Sequence, residues 1–128
     1  MFLKKTHQRN LFGIESLFCV LLLIQSAVLA DPKTDFFEKK IRPVLSGNCY
    51  ECHSAKSKAL KAGLLLDRKA GWVRGGKNGA VIVPGNPDES ILMNALRYGN
   101  HDLQMPPSNK LSESVLADFE KWIAMGAQ

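Results

Sequence analysis

Residues 47–54 read GNCYECHS, which places Cys49, Cys52 and His53 within five consecutive positions. The spacing is therefore C-x-x-C-H. One further cysteine, Cys19, lies in an apolar N-terminal run. What the motif can do depends on the compartment that the chain reaches and on the fold around the motif.

The N-terminus has the order of a secretory signal peptide. Basic residues precede the apolar run LFCVLLLIQSAVLA, which ends at Ala30. This run is shorter than the stretch of about 20 apolar residues that a membrane-spanning helix needs, so we expect cleavage after Ala30. The chain would attach to a membrane only if this segment stays uncleaved. Residues 1–30 are thus predicted to be a signal peptide, and residues 31–128 a domain exported to the periplasm or an equivalent extracytoplasmic compartment, where we assume a monomer.

The exported residues predict an all-α fold. Residues 35–47 have an apolar helical face, with Asp35 and Glu38 at capping-box spacing and Pro43 expected to kink the helix near its end. Residues 54–84 are rich in glycine and lysine and are predicted to be mostly loop.

Two more helices are predicted towards the C-terminus. Asn86 as cap and Pro87 as first helical residue indicate a helix that stops near Gly99. Ser112 indicates the start of a last helix, which Gly126 ends. Three of the aromatic residues, Trp72, Tyr98 and Trp122, are expected to be packing residues.

A domain of this size with a long loop has little apolar core, so we expect the motif to bind something that stabilises the fold. A disulfide or a thioredoxin-type redox centre uses C-x-x-C, but the expected βαβ context is missing. A zinc site would need His101 and a carboxylate as further ligands. Covalent haem explains more, since two thiols at this spacing can bind the porphyrin vinyl groups while the adjacent His53 ligates the iron.

A second iron ligand is predicted in the segment LQMPP. Met105 lies in a polar loop outside any apolar helical face, and its thioether is a soft ligand for iron. His101 is a rival ligand four residues away. Two axial ligands would leave no vacant position for substrate chemistry.

The chain resembles the cytochrome c family, and more closely its planctomycete-type domain. The resemblance covers most of residues 35–127, through FFEKKIRPVLSGNCYECHS, KAGLLLDRKAGWVRGG, IVPGNPDESILMNALRY, LQMPP and KLSESVLADFEKWIAMGA. It implies a small helical cytochrome fold around one haem c, attached at Cys49 and Cys52 and ligated by His53 and Met105. Family members carry glycine where this chain has Ala62, and such domains commonly begin longer proteins.

The leading function is electron transfer between a redox protein donor and a redox protein acceptor, without enzymatic activity. A haem peroxidase or gas sensor with an open sixth site is one alternative, and an electron-entry module of a larger oxidoreductase is another. Lysines between Lys56 and Lys77 are candidates for steering an acidic partner. Nothing indicates nucleic-acid binding, since aromatic residues are not interleaved with the basic ones.

Overall fold

A computed structural model describes residues 31–128, and the predicted signal peptide and Cys19 lie outside this range. The helical elements are α1 (Pro32–Phe36), a π-helical turn (Phe37–Ile41), α2 (Arg42–Asn48), α3 (Lys69–Arg74), α4 (Ile91–Arg97) and α5 (Glu113–Ala124). The described part of the chain has no strand, and only an isolated bridge joins Gly76 and Gly79. The predicted all-α class is therefore confirmed.

The first helical stretch runs without a break from α1 through the π turn into α2. It begins before the predicted position, because Pro32 occupies a first-turn position where no backbone N–H is needed. The predicted capping box is wrong. Asp35 instead pairs with Lys39 at 2.9 Å, and Glu38 pairs with Arg42 one helical turn later.

A π turn directly precedes Pro43, the residue that was expected to kink the first helix. Pro43 lies in the first turn of α2, directly after that wider turn. Proline cannot donate the usual backbone hydrogen bond, and π turns are places where a helix changes its hydrogen-bond register. The helix therefore continues to Asn48 rather than ending near the proline.

The middle segment is mostly loop, as predicted, but it contains the short helix α3. This helix packs closely on the preceding loop: a Cβ at Gly71 would lie 2.2 Å from the carbonyl oxygen of Leu65. The close approach buries Trp72, which follows Gly71. The helix was missed because six residues are too few for a helical period to stand out.

Helix α4 begins later than predicted, at Ile91. The Ser90 hydroxyl donates to the Asn86 carbonyl and accepts from the Val83 amide, each at 2.9 Å. These bonds hold the preceding residues in a turn, so the start predicted at Asn86 and Pro87 is wrong. The helix ends before Gly99, because Tyr98 takes a left-handed conformation with φ of 61°.

Helix α5 follows the prediction most closely. Ser112 is its N-cap residue, and the helix ends at Ala124, just before the predicted stop at Gly126. Its apolar face is buried, and four side chains form it: Leu116, Phe119, Trp122 and Ile123.

An aromatic cluster joins the π turn, α3 and α5. The rings of Trp72 and Trp122 meet edge to face at 5.4 Å, and Phe37 lies 5.4 Å from Trp122. Both tryptophans therefore pack in the core, as predicted. Within residues 31–128, no helix is long and apolar enough to cross a membrane.

Candidate functional site

The C-x-x-C-H motif folds into a tight turn at the end of α2. Cys49 is the C-cap residue of that helix, and its carbonyl oxygen accepts hydrogen bonds from the amides of Cys52 and His53, at 3.1 and 2.8 Å. As a result, all three side chains line the same cavity. The structure thus brings together the three residues that the sequence singled out first.

A loop from Lys61 to Asp67 holds the motif from its other side. The Lys61 amide donates to the Cys52 carbonyl at 3.0 Å, and the Leu66 amide donates to the His53 carbonyl at 2.8 Å. The Asp67 carboxylate accepts from the Ala55 amide at 2.9 Å. Sequence reasoning missed this support, because backbone hydrogen bonds between distant segments leave no pattern in side-chain identity.

The cavity beside the motif has a volume of about 390 Å³, within the range of about 300–1,000 Å³ that is typical of cofactor sites. Most of its lining is apolar and comes from loops and α4: Leu64, Leu66, Val81, Ile91, Leu92, Ala95, Leu96, Leu103, Pro106 and Pro107. Its other polar lining residues are all solvent-exposed: Asn48, Lys61, Lys77 and Asn78. The cavity therefore has an apolar interior and a polar mouth.

Burial favours the uncharged forms of Cys49 and His53. Burial raises the pKa of the Cys49 thiol to about 11. It also lowers the pKa of His53, a shift that backbone groups of Leu64 and Lys61 partly oppose. The imidazole is therefore neutral at pH 7 and keeps a lone pair for a metal. Its Nδ1 is buried and has no hydrogen-bond partner.

Met105 lines the same cavity and is held by α4. Its amide donates to the Ala95 carbonyl at 3.1 Å, and the carbonyl of Pro106 accepts from the Tyr98 hydroxyl. His101 lies outside the cavity: its side chain is 97% exposed, and its Nδ1 lies 3.8 Å from a carboxylate oxygen of Asp102. The structure brings Met105, and not His101, to the motif.

The two competing interpretations of the motif find no support in this geometry. Cys49 and Cys52 are both free thiols, so they do not form a disulfide. Among residues 31–128, no three His, Cys, Asp or Glu side chains cluster closely enough to hold a metal ion, which a zinc site would require.

A larger groove of about 830 Å³ lies next to the motif and shares Cys52 and Lys61 with the cavity. Most of its lining residues are of polar or charged types, including Lys56 and Lys58, whereas His53 and Met105 do not line it. An apolar planar cofactor therefore fits the smaller cavity better than this groove.

Residues 49–109 match the family described as Planctomycete cytochrome C. This segment belongs to that family. It begins at Cys49 and includes Met105, so the matched segment spans all the predicted haem ligands. Neither the curated proteins nor the solved structures gave a match.

The residues that line the cavity fit haem c. It presents two unpaired thiols, one neutral imidazole and one thioether to a largely apolar space. These are the groups that covalent attachment and axial ligation of haem require. Apart from the motif, its polar residues are exposed at the mouth, so no buried charge opposes an apolar ring.

Proposed function

We propose that the domain is a single-haem electron carrier with haem c attached at Cys49 and Cys52, and with His53 and Met105 as axial ligands of the iron. The observation that carries the proposal is that these four side chains line one apolar cavity. When bound, the haem supplies an iron that alternates between the ferric and ferrous states.

The protein's residues hold and tune that group. His53 offers a neutral imidazole. The backbone amide and carbonyl of His53 are both hydrogen-bonded, which limits the movement of the imidazole. Met105 offers a thioether, the ligand type that raises the reduction potential in cytochromes c. The aliphatic walls exclude water, and low polarity around the iron is a further control on the potential.

Occupation of both axial positions favours a carrier over an enzyme. With His53 and Met105 bound, no iron position is open to peroxide or to a diatomic gas. The proposed partners are therefore a redox protein donor and a redox protein acceptor, which exchange electrons through the haem edge. The polar mouth of the cavity is where that edge would meet solvent.

The lysines around the motif are proposed to steer an acidic redox partner. Within the described residues, no ion pair is formed by Lys56, Lys58, Lys61 or Lys77. By contrast, Lys39, Lys40 and Lys110 pair with Asp35, Asp118 and Glu113. Unpaired surface charges of one sign speed the encounter with a partner of opposite charge. Leu60, which is 43% exposed, lies among these lysines and would add an apolar contact.

Export to an extracytoplasmic compartment completes the proposal, because it delivers the chain to a place where haem can be attached. Protein produced with a haem maturation system should keep its haem through acid–acetone extraction. Its intact mass should equal residues 31–128 plus one haem. Haem that is extracted by this treatment, or protein without haem, would contradict covalent attachment at Cys49 and Cys52.

Carbon monoxide titration of the ferrous protein tests the axial ligands. We expect weak binding by the wild type, much tighter binding and a lower reduction potential after Met105→Ala, and no change after His101→Ala. Ready binding by the wild type would favour a gas sensor or peroxidase. The opposite result for the two variants would make His101 the ligand.

A further inference from the structure

The end of α4 lies against the loop that carries Met105. Tyr98 follows the helix in a left-handed conformation, with φ of 61° and ψ of 33°. Residues with a Cβ rarely adopt this conformation, because it brings the side chain close to the backbone. Here it turns the chain directly after α4 while the tyrosine ring stays half-buried.

Two hydrogen bonds connect this helix end to the Met105 loop, one on each side of the methionine side chain. The Met105 amide donates to the Ala95 carbonyl at 3.1 Å. The Tyr98 hydroxyl donates to the carbonyl of Pro106, which is the next residue after Met105 and is buried. The first bond involves only the backbone, so Tyr98 supplies the one side-chain bond of the pair.

We propose that Tyr98 is a positioning residue for Met105: its hydroxyl holds the Pro106 carbonyl and so keeps the methionine loop closed over the cavity. The inference rests on the proposed function, in which Met105 ligates the iron. Opening the loop far enough to withdraw the thioether would break the Tyr98–Pro106 bond. The bond therefore favours the closed, methionine-ligated form over the open form.

A ligand that competes with Met105 for the iron measures this preference. Carbon monoxide can bind the ferrous protein only after the methionine has left, so its apparent affinity falls as the closed form becomes more stable. A single hydrogen bond of ordinary net strength would change that affinity about two- to tenfold. A tyrosine that serves only to pack would change the overall stability and leave the carbon monoxide affinity unaltered.

The test compares Tyr98→Phe with Tyr50→Phe in haem-loaded protein. Phenylalanine keeps the ring and removes only the hydroxyl. Tyr50 is the matched control, because it is also half-buried and its hydroxyl has no hydrogen-bond partner to lose. Ile123→Val controls for a general loss of stability, because Ile123 is buried in the core but does not line the cavity.

We expect Tyr98→Phe to bind carbon monoxide about two- to tenfold more tightly than the wild type. We also expect it to weaken the sulfur-to-iron absorption of the ferric protein, while the two controls match the wild type. The double variant Tyr98→Phe with Met105→Ala should bind carbon monoxide like Met105→Ala alone, because a positioning residue has no effect once its target is absent.

The outcomes separate the inference from the proposed function. If Met105→Ala increases carbon monoxide affinity but Tyr98→Phe does not, Met105 is the ligand and the role of Tyr98 is overturned. If Met105→Ala has no effect, the ligand assignment itself fails, and the inference fails with it. An equal effect of Tyr98→Phe with and without Met105 would show that Tyr98 acts on the iron by another route.

Discussion

The backbone amide of Leu66 donates a hydrogen bond of 2.8 Å to the carbonyl oxygen of His53. The His53 amide in turn donates to the Cys49 carbonyl, also at 2.8 Å. The backbone of the proposed iron ligand is therefore bonded in both directions, once to the motif and once to the loop that follows it. Side-chain changes in that loop should alter stability more than they alter the position of the imidazole.

Asp67, next to Leu66, should stabilise the domain in a pH-dependent way. Its hydrogen bond from Arg68 lowers the pKa of the carboxyl group, and the Ala55 amide lowers it further. Because the folded pKa is depressed, the stabilisation is present above the unfolded pKa of about 3.9 and is lost as the pH falls through the folded value.

We expect Asp67→Asn to lower the free energy of unfolding by about 0.5–1.5 kcal/mol at pH 7. This difference from the wild type should shrink towards zero below about pH 3. Urea unfolding at both pH values measures it. Asp102→Asn is the control, since the Asp102 side chain is 95% exposed and should contribute nothing measurable. A difference that persists unchanged at low pH would exclude the ionised carboxylate as its cause.

We expect glycine at position 62 to make the domain more stable than alanine does. The φ of 51° at Ala62 lies in the left-handed region, which costs a residue with a Cβ about 1–2 kcal/mol. Glycine removes this cost but loses about 0.5–1 kcal/mol through its greater freedom in the unfolded chain.

Ala62→Gly is therefore expected to raise the free energy of unfolding by about 0.5–1 kcal/mol. The same exchange at Ala70, an exposed position within α3, should lower it by a similar amount. Thermal or urea unfolding of the two variants checks the opposite signs. Two losses of equal size would mean that Ala62 is not strained.

Loss of covalent haem should leave the domain largely unfolded. Without the haem, the apolar side chains that line a cavity of about 390 Å³ would lose their packing partner and face water, a large loss for a small domain of marginal stability. Far-UV circular dichroism of Cys49→Ala with Cys52→Ala should show little helix. Wild type made without haem attachment should behave in the same way. A cooperative unfolding transition in either protein would refute this account.

The lysines that are proposed to steer a redox partner should make the rate of electron transfer depend on salt concentration. With an acidic blue-copper protein as the probe, Lys56→Gln with Lys58→Gln should slow association several-fold at low salt. The difference should fade above about 0.1 M salt, where charges are screened over about 10 Å.

Lys39→Gln with Lys110→Gln is the matched control, since it removes the same net charge from lysines that already pair with Asp35 and Glu113. If both double variants slow association equally, the slower association is caused by the lower net charge alone. That result would leave Lys56 and Lys58 without a specific role.

Local patterns in the sequence determined the motif, the helical class and the buried face of α5. Cys49, Cys52 and His53 lie within five residues, so one turn of backbone is enough to bring them together. The face of α5 repeats with the helical period, so Phe119 and Trp122 could be assigned to the core without knowing what they contact. These features depend on neighbours within one or two turns of chain.

Tertiary structure decided what local patterns leave open. Met105 and His101 are both possible ligands in one loop, and the bonds from the Met105 amide to Ala95 and from the Tyr98 hydroxyl to Pro106 hold Met105 at the cavity. Similarly, the start of α4 depends on Ser90, whose hydroxyl bonds the amide of Val83, seven residues earlier. In both cases, the deciding hydrogen bond joins residues too far apart in the chain for a helical period or a capping pattern to reveal it.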